Sequence, residues 1–166
     1  MLLKVLILIG ITFVPALELR ASIPWGIFYY SDSMHWTTTV AICIAANVAL
    51  AFVFYWLLDT VIKWLRHRWA WFARVYGLWE ARAQRKIHKN VERYGEWGVA
   101  VFIGIPLPGT GVITGAIASY ALGLSRRKYY VAAILGVLIA ATAVTLVCLL
   151  GDAVAPWLLR LFTKKV

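Results

Sequence analysis

Two charged residues stand alone in an apolar stretch. Between Val5 and Tyr30 the only charged side chains are Glu18 and Arg20, inside Pro15-Ala-Leu-Glu18-Leu-Arg20-Ala-Ser22-Ile-Pro24-Trp-Gly26. Charges at membrane depth are costly, face protein or water rather than lipid, and mark ion or substrate paths. A carboxylate there can take up and release a proton, and a guanidinium can hold an anion. Residues two apart do not face each other on a helix, so Glu18 and Arg20 are expected to have different partners. A carboxylate near a helix N-terminus is also favoured by the dipole. A structural charge network therefore stands beside functional coupling as a reading of the pair.

A second segment offers backbone rather than side-chain chemistry: Pro106-Leu-Pro108-Gly109-Thr110-Gly111-Val-Ile-Thr114-Gly115. Gly109 and Gly111 permit a tight turn, Thr110 is placed to cap the helix that follows, and the freed N–H groups make an anion-friendly concavity. No Lys-Ser/Thr pair follows, so this is not a P-loop. Gly111 and Gly115 also have the small-xxx-small spacing of close helix packing. Asn47, Thr142 and Thr145 are polar groups within apolar runs, suited either to lining a cavity or to interhelical hydrogen bonds.

The elements holding these segments must suit a membrane. Of 166 residues, 63% are hydrophobic and 14% charged, against roughly half and a quarter in soluble domains. Mean hydropathy is +0.79. Nine Trp and eight Tyr suit membrane interfaces. An ordinary soluble enzyme is excluded by this composition. Residues 37–58 and 129–150 carry no charge and are each about long enough to cross roughly 30 Å of hydrocarbon. The stretches 5–27 and 97–124 are instead interrupted, by Pro15 and Pro24 and by Pro106 and Pro108. Proline removes a backbone donor, so each is expected to be two half-helices joined at a turn, tolerated at depth only when buried in protein or lining a watery cavity.

Charge sets the expected topology. Nine of the seventeen Lys and Arg lie between Lys63 and Arg93, as cytoplasmic segments require. Residues 63–95 read as a basic amphipathic helix, with Leu65, Trp69, Phe72, Tyr76, Trp79, Ala83, Ile87, Val91 and Tyr94 at spacings of three and four. With Arg126-Arg127-Lys128 after it, stretch 97–124 has basic flanks on both sides and is read as re-entrant. Shifting the chain by 93 residues aligns Pro15 with Pro108, Asp59 with Asp152 and Trp64 with Trp157, and LLDTVIKWL with LGDAVAPWL. The expected fold is thus all-α and integral to the membrane, an inverted repeat of re-entrant hairpin plus transmembrane helix. Residues 1–62 form one repeat, 63–95 the cytoplasmic amphipathic helix, and 96–166 the second repeat with a tail at 151–166. Met1–Leu17 lacks a small-residue cleavage pattern and is read as part of the mature chain.

Catalytic constellations are missing from the pattern. His35, His67 and His88 are scattered, Cys43 and Cys148 have neither metal nor disulfide spacing, and no paired carboxylates occur. The reading is a protein that is not an enzyme, with no metal and no cofactor. The basic segment carries no nucleic-acid recognition motif, so nucleic acid is not an expected partner.

The blocks PALELRASIPWGI and IPLPGTGVITGAIASYALGL resemble the small multidrug export protein family, whose members carry an E-L-R-x-x-I-P block early and a P-G-T-G-x-x-T-G block later. That family is more distantly similar to DedA-type membrane proteins, which have two re-entrant hairpins and are linked to anionic lipid carriers and proton-dependent transport. The resemblance implies that Glu18 and Arg20 are the charged positions of the first hairpin and Pro108, Gly109, Thr110 and Gly111 the tip of the second. DedA-type proteins usually have arginines in the second hairpin, whereas Ile103 to Ser125 has no charge here. The expectation is a multi-pass transporter or flippase of the cell membrane, moving an anionic lipid or lipid-phosphate by alternating access with proton coupling. Efflux of small molecules driven by a proton or cation, and a non-transporting membrane scaffold, are the alternatives. Membrane lipids and a second copy, as a homodimer, are the expected partners.

Overall fold

The computed structural model describes residues 1–15, 17–68, 91–107 and 109–163. Among these, six helices carry the chain: α1 (Leu2–Phe13), α2 (Glu18–Tyr29), α3 (Trp36–Arg68), α4 (Val91–Gly104), α5 (Val112–Ala121) and α6 (Arg126–Thr163). No strand occurs among them. Two of the helices, α3 over Trp36–Leu65 and α6 over Arg126–Gly151, are long and apolar enough to cross a membrane.

The two interrupted stretches each form a pair of short helices. α1 and α2 have 12 residues each, about 18 Å of helix, well short of a bilayer core of about 30 Å. They pack on each other and on α3. The turn between them is tight, with the Leu17 and Glu18 amides both donating to the Val14 carbonyl at 3.2 Å. Only Pro15 breaks the stretch. Pro24, expected to interrupt it, lies inside α2, because neighbouring helices can shelter the single carbonyl that a proline leaves unpaired. At the second break Ile105 still donates to Val101, Leu107 turns back to Ile105, and Thr110 donates to Leu107. Gly109 completes this turn at φ +90, a region that side-chain-bearing residues avoid.

Hydropathy located the long helices but not their ends. α3 continues past the expected residue 58 to Arg68, so Lys63–Arg68 belong to it and not to a separate amphipathic helix. Backbone hydrogen bonding has no reason to stop where the sequence turns polar. Of the rest of that expected helix, 69–90 lies outside the described residues, as does Pro108, and 91–95 begins α4. Residues 151–163, expected as a tail, continue α6 as helix.

α3 and α6 run antiparallel, fixed by Phe52 on Tyr130, by the Tyr55–Tyr129 stack at 4.7 Å, and by Arg126 paired with Asp59. The open end of the first helix pair lies beside the α2–α3 loop, where Lys4 Nζ donates to Ser33 Oγ at 2.6 Å. The open end of the second pair lies at the other end of α3, where the Tyr55 hydroxyl donates to the Leu124 carbonyl. The two turns consequently meet in the middle, wrapped by buried Leu19, Ile23, Val112, Ala116 and Val137.

Candidate functional site

Glu18 begins α2 with a left-handed backbone, φ 46. Such a conformation costs a non-glycine residue on the order of 1 kcal/mol or more and persists only where the surroundings hold it. What holds it is the second helix pair. The carboxylate is 2% exposed as a residue, and its Oε2 accepts the Val112 amide at 3.0 Å. That amide is the first of α5, and Gly111 before it provides no side-chain cap. Glu18 is therefore the cap of a helix 94 residues away in sequence.

The approach is so close that a Cβ on Gly111 would collide with the Glu18 carboxylate. Thr110, expected to cap α5, is used otherwise: its one hydroxyl proton is shared between the Ile105 and Leu107 carbonyls, at 2.7 and 2.9 Å. The turn faces its hydroxyl toward the end of α4, so the start of α5 is left for Glu18.

Arg20 does the converse job. Its Nη2 lies within hydrogen-bonding distance of the carbonyls of Ile103 (3.3 Å), Ile105 (2.9 Å) and Thr110 (3.1 Å) and of Thr110 Oγ1 (2.9 Å), which share its two N–H groups. The guanidinium thus sits where α4 ends and its carbonyls point outward, while the carboxylate sits where α5 begins. Each charge occupies the helix end whose dipole attracts it. Glu18 and Arg20 do meet different partners, as their spacing required. They also approach each other, Nη1 to Oε2 at 3.9 Å, because the left-handed backbone of Glu18 places it outside regular helical spacing.

Four expected site residues are therefore brought together, Glu18, Arg20, Thr110 and Gly111. Gly109 forms the turn behind them. Three contributors carry no sequence signature: the Ile103 and Ile105 carbonyls and the Val112 peptide. The Val112 carbonyl accepts the Tyr129 hydroxyl at 2.9 Å, so the backbone of one residue, through the two peptide groups that flank it, joins Glu18 to the Tyr55–Tyr129 stack. Beyond that stack Asp59 accepts from Arg126, and from Lys63 at 2.8 Å.

The sequence pattern of the family described as "Putative small multi-drug export protein" matches residues 18–144. The chain belongs to this family. No curated protein and no solved structure matches it. The matched span opens on Glu18 and takes in both sides of the contact just described. Membership of this family and two apolar helices of crossing length mark the chain as a membrane protein.

Interhelical hydrogen bonding does not account for Asn47, Thr142 or Thr145. Thr142 bonds within its own helix, to Leu138. Asn47 and Thr39 are fully buried, yet both amide atoms of Asn47 and the Thr39 hydroxyl have no hydrogen-bond partner among the described residues. Ser119 and Thr145 are in the same position. An unpaired buried amide or hydroxyl costs about 1–3 kcal/mol by mutational scales. Gly115, the other half of the small-residue pair, packs against Ile103.

Proposed function

We propose that this member of the family is a multi-pass exporter of the cell membrane, built as two re-entrant units of opposite orientation, that works by proton-coupled alternating access. The observation that carries the reading is the Glu18 clasp. A buried carboxylate on a strained backbone caps a helix of the other unit and lies beside a partly buried guanidinium. Protonation cancels its attraction to the α5 amide and to Arg20, while Arg20 keeps its carbonyl partners. One proton thus loosens the contact between the units, which is what coupling requires. The short arms, the opposed open ends of the two helix pairs and the 93-residue offset support the inverted arrangement. On the side of Asp59, the Tyr55–Tyr129 stack and the Asp59–Arg126 pair close the route to the clasp.

The substrate class that fits the family is a small molecule. An anionic lipid or lipid-phosphate is the second reading, favoured by one observation. The Glu18 carboxylate occupies a spot flanked by the Val112 amide and the Arg20 guanidinium, two donors suited to a phosphate. A neutral Glu18 that withdrew would leave both donors to an incoming headgroup.

Reconstituted vesicles with an imposed pH gradient test these readings, comparing the parent with Glu18→Gln for uptake of a cationic dye and of a fluorescent phospholipid. Gradient-driven dye movement lost in the variant supports small-molecule export, and lipid movement lost in the variant supports the second reading. Equal transport by folded parent and variant would sink the role of Glu18 in both.

A further inference from the structure

Glu18 has neighbours that the clasp does not use. On α2, Glu18, Ser22 and Gly26 follow each other at four-residue spacing and share one face. On α3, Thr39, Cys43 and Asn47 do the same, all fully buried. The two faces oppose each other. Gly26 abuts the Thr39 side chain, and Cys43 lies close to Ser22 and Thr12. One more turn of the same antiparallel pairing brings Asn47 to the layer of Glu18.

α1 closes the third side. The Thr12 hydroxyl, also fully buried, lies 2.8 Å from both Ser22 Oγ and the Leu8 carbonyl, and Ser22 donates to the backbone carbonyl of Glu18 at 3.2 Å. A file of hydroxyl, thiol and amide groups therefore runs for about 12 Å of helix between Thr39 and Glu18. Its far end is one turn inside the start of α3, next to the loop 30–35 with Asp32, Ser33 and His35. Buried Leu8 lies against it beside Gly26.

The file is also where hydrogen-bonding capacity is left over, at Thr39 Oγ1 and at both amide atoms of Asn47. Apolar residues would pack such a seam at lower cost. Groups of this kind, at this spacing, suit a chain of water molecules, each needing two to four polar partners.

We infer that the α1–α2–α3 seam carries protons through water between the loop 30–35 and Glu18. Thr39, Thr12 and Ser22 are its relay hydroxyls, and Asn47 holds water beside the carboxyl. The inference rests on the proposed role of Glu18 as the coupling carboxylate. A proton enters from the aqueous side at the loop, passes between waters and hydroxyls, and ends on Glu18 as the neutral acid. In the other direction the Val112 peptide, Tyr129 and Tyr55 separate Glu18 from the Asp59 end. Among the described residues, the ionisable groups around Glu18 are Arg20 on its own helix, Cys43 across the seam and Tyr129 of α6. Lys4 of α1, Glu96 of α4 and Tyr120 of α5 lie toward the far ends of their helices.

The test is time-resolved infrared spectroscopy after a pH jump on the full chain in lipid vesicles. It follows the protonated-carboxyl band of Glu18, identified as the band absent from Glu18→Gln. Thr39→Val and Asn47→Leu should slow its appearance by about tenfold or more, since protons cross only hydrogen-bonded gaps. Thr39→Ser, which keeps the hydroxyl, should restore the parent rate, and Thr145→Val, outside the seam, should leave it unchanged. If Asn47→Leu does not fold, the Thr39 pair decides alone. Unchanged rates in the seam variants, with the Glu18 band intact, would overturn the route and leave the proposed function standing. A parent protein with no such band at any pH where it stays folded would overturn both.

Discussion

The two helix pairs meet at one point but bring different chemistry to it. The first supplies side chains: a carboxylate, a guanidinium, and the Ser22 and Thr12 hydroxyls. The second supplies mostly backbone, namely the Val112 amide and the Ile103, Ile105 and Thr110 carbonyls. At the 93-residue offset Glu18 falls on Gly111, the residue its carboxylate touches. Two carboxylates could not share that place without one losing its charge. Halves that arrive at a common point need unlike tips, one projecting and one receding, and the charge asymmetry between the two blocks is that requirement written in sequence.

Removing the projecting charge tests this contrast most severely. Arg20→Met leaves the oxygens of Ile103, Ile105 and Thr110 and the Glu18 carboxylate without their partner. Breaking a buried ion pair in this way costs about 3–5 kcal/mol, to be read as lost unfolding free energy in detergent. Arg20→Lys should recover only part of it, since a compact ammonium cannot span the same acceptors.

Filling the receding tip comes next. Gly111→Ala pushes a methyl group into the Glu18 carboxylate and should cost about 1–3 kcal/mol, as overpacking does. The same substitution in a Glu18→Ala background should cost much less, and a double-mutant cycle measures the difference. Additive effects would mean that the two positions do not interlock.

Two smaller effects sharpen the contrast between buried and peripheral links. Tyr129→Phe removes one hydrogen bond, to the Val112 carbonyl, and should lower stability by about 1 kcal/mol. Asp59→Asn weakens the pairs with Arg126 and Lys63, whose side chains are 48% and 65% exposed. Its cost should be about 1 kcal/mol or less and should shrink further in high salt, where exposed pairs are screened.

Much of this was legible in the sequence, for identifiable reasons. Pro15 and Pro106 forbid a continuous helix, and uncharged runs of crossing length announce α3 and α6. Glu18 and Arg20 stand out because charge in apolar surroundings needs a partner. What stayed hidden depends on contacts between distant segments. Thr110 has the residue type of a cap, but turn geometry aims its hydroxyl backward and a carboxylate from the other helix pair takes the position. Pro24 looks like a breaker, yet packing absorbs it. Val112 and Tyr129 are ordinary apolar and aromatic residues by type. Nothing in their identity reports that the backbone of the former links the carboxylate to the hydroxyl of the latter.

The clasp also constrains the order in which the chain can be assembled. Glu18 and Arg20 are synthesised early, while Val112, Ile103 and Ile105 emerge from the ribosome much later. Throughout that interval the first hairpin carries a carboxylate and a guanidinium with only each other to satisfy them. Stable burial of the two charges therefore waits for the second half of the chain. A ribosome stalled after α3 should leave a nascent chain whose first hairpin is still reachable by water, and release of the stall should bury it.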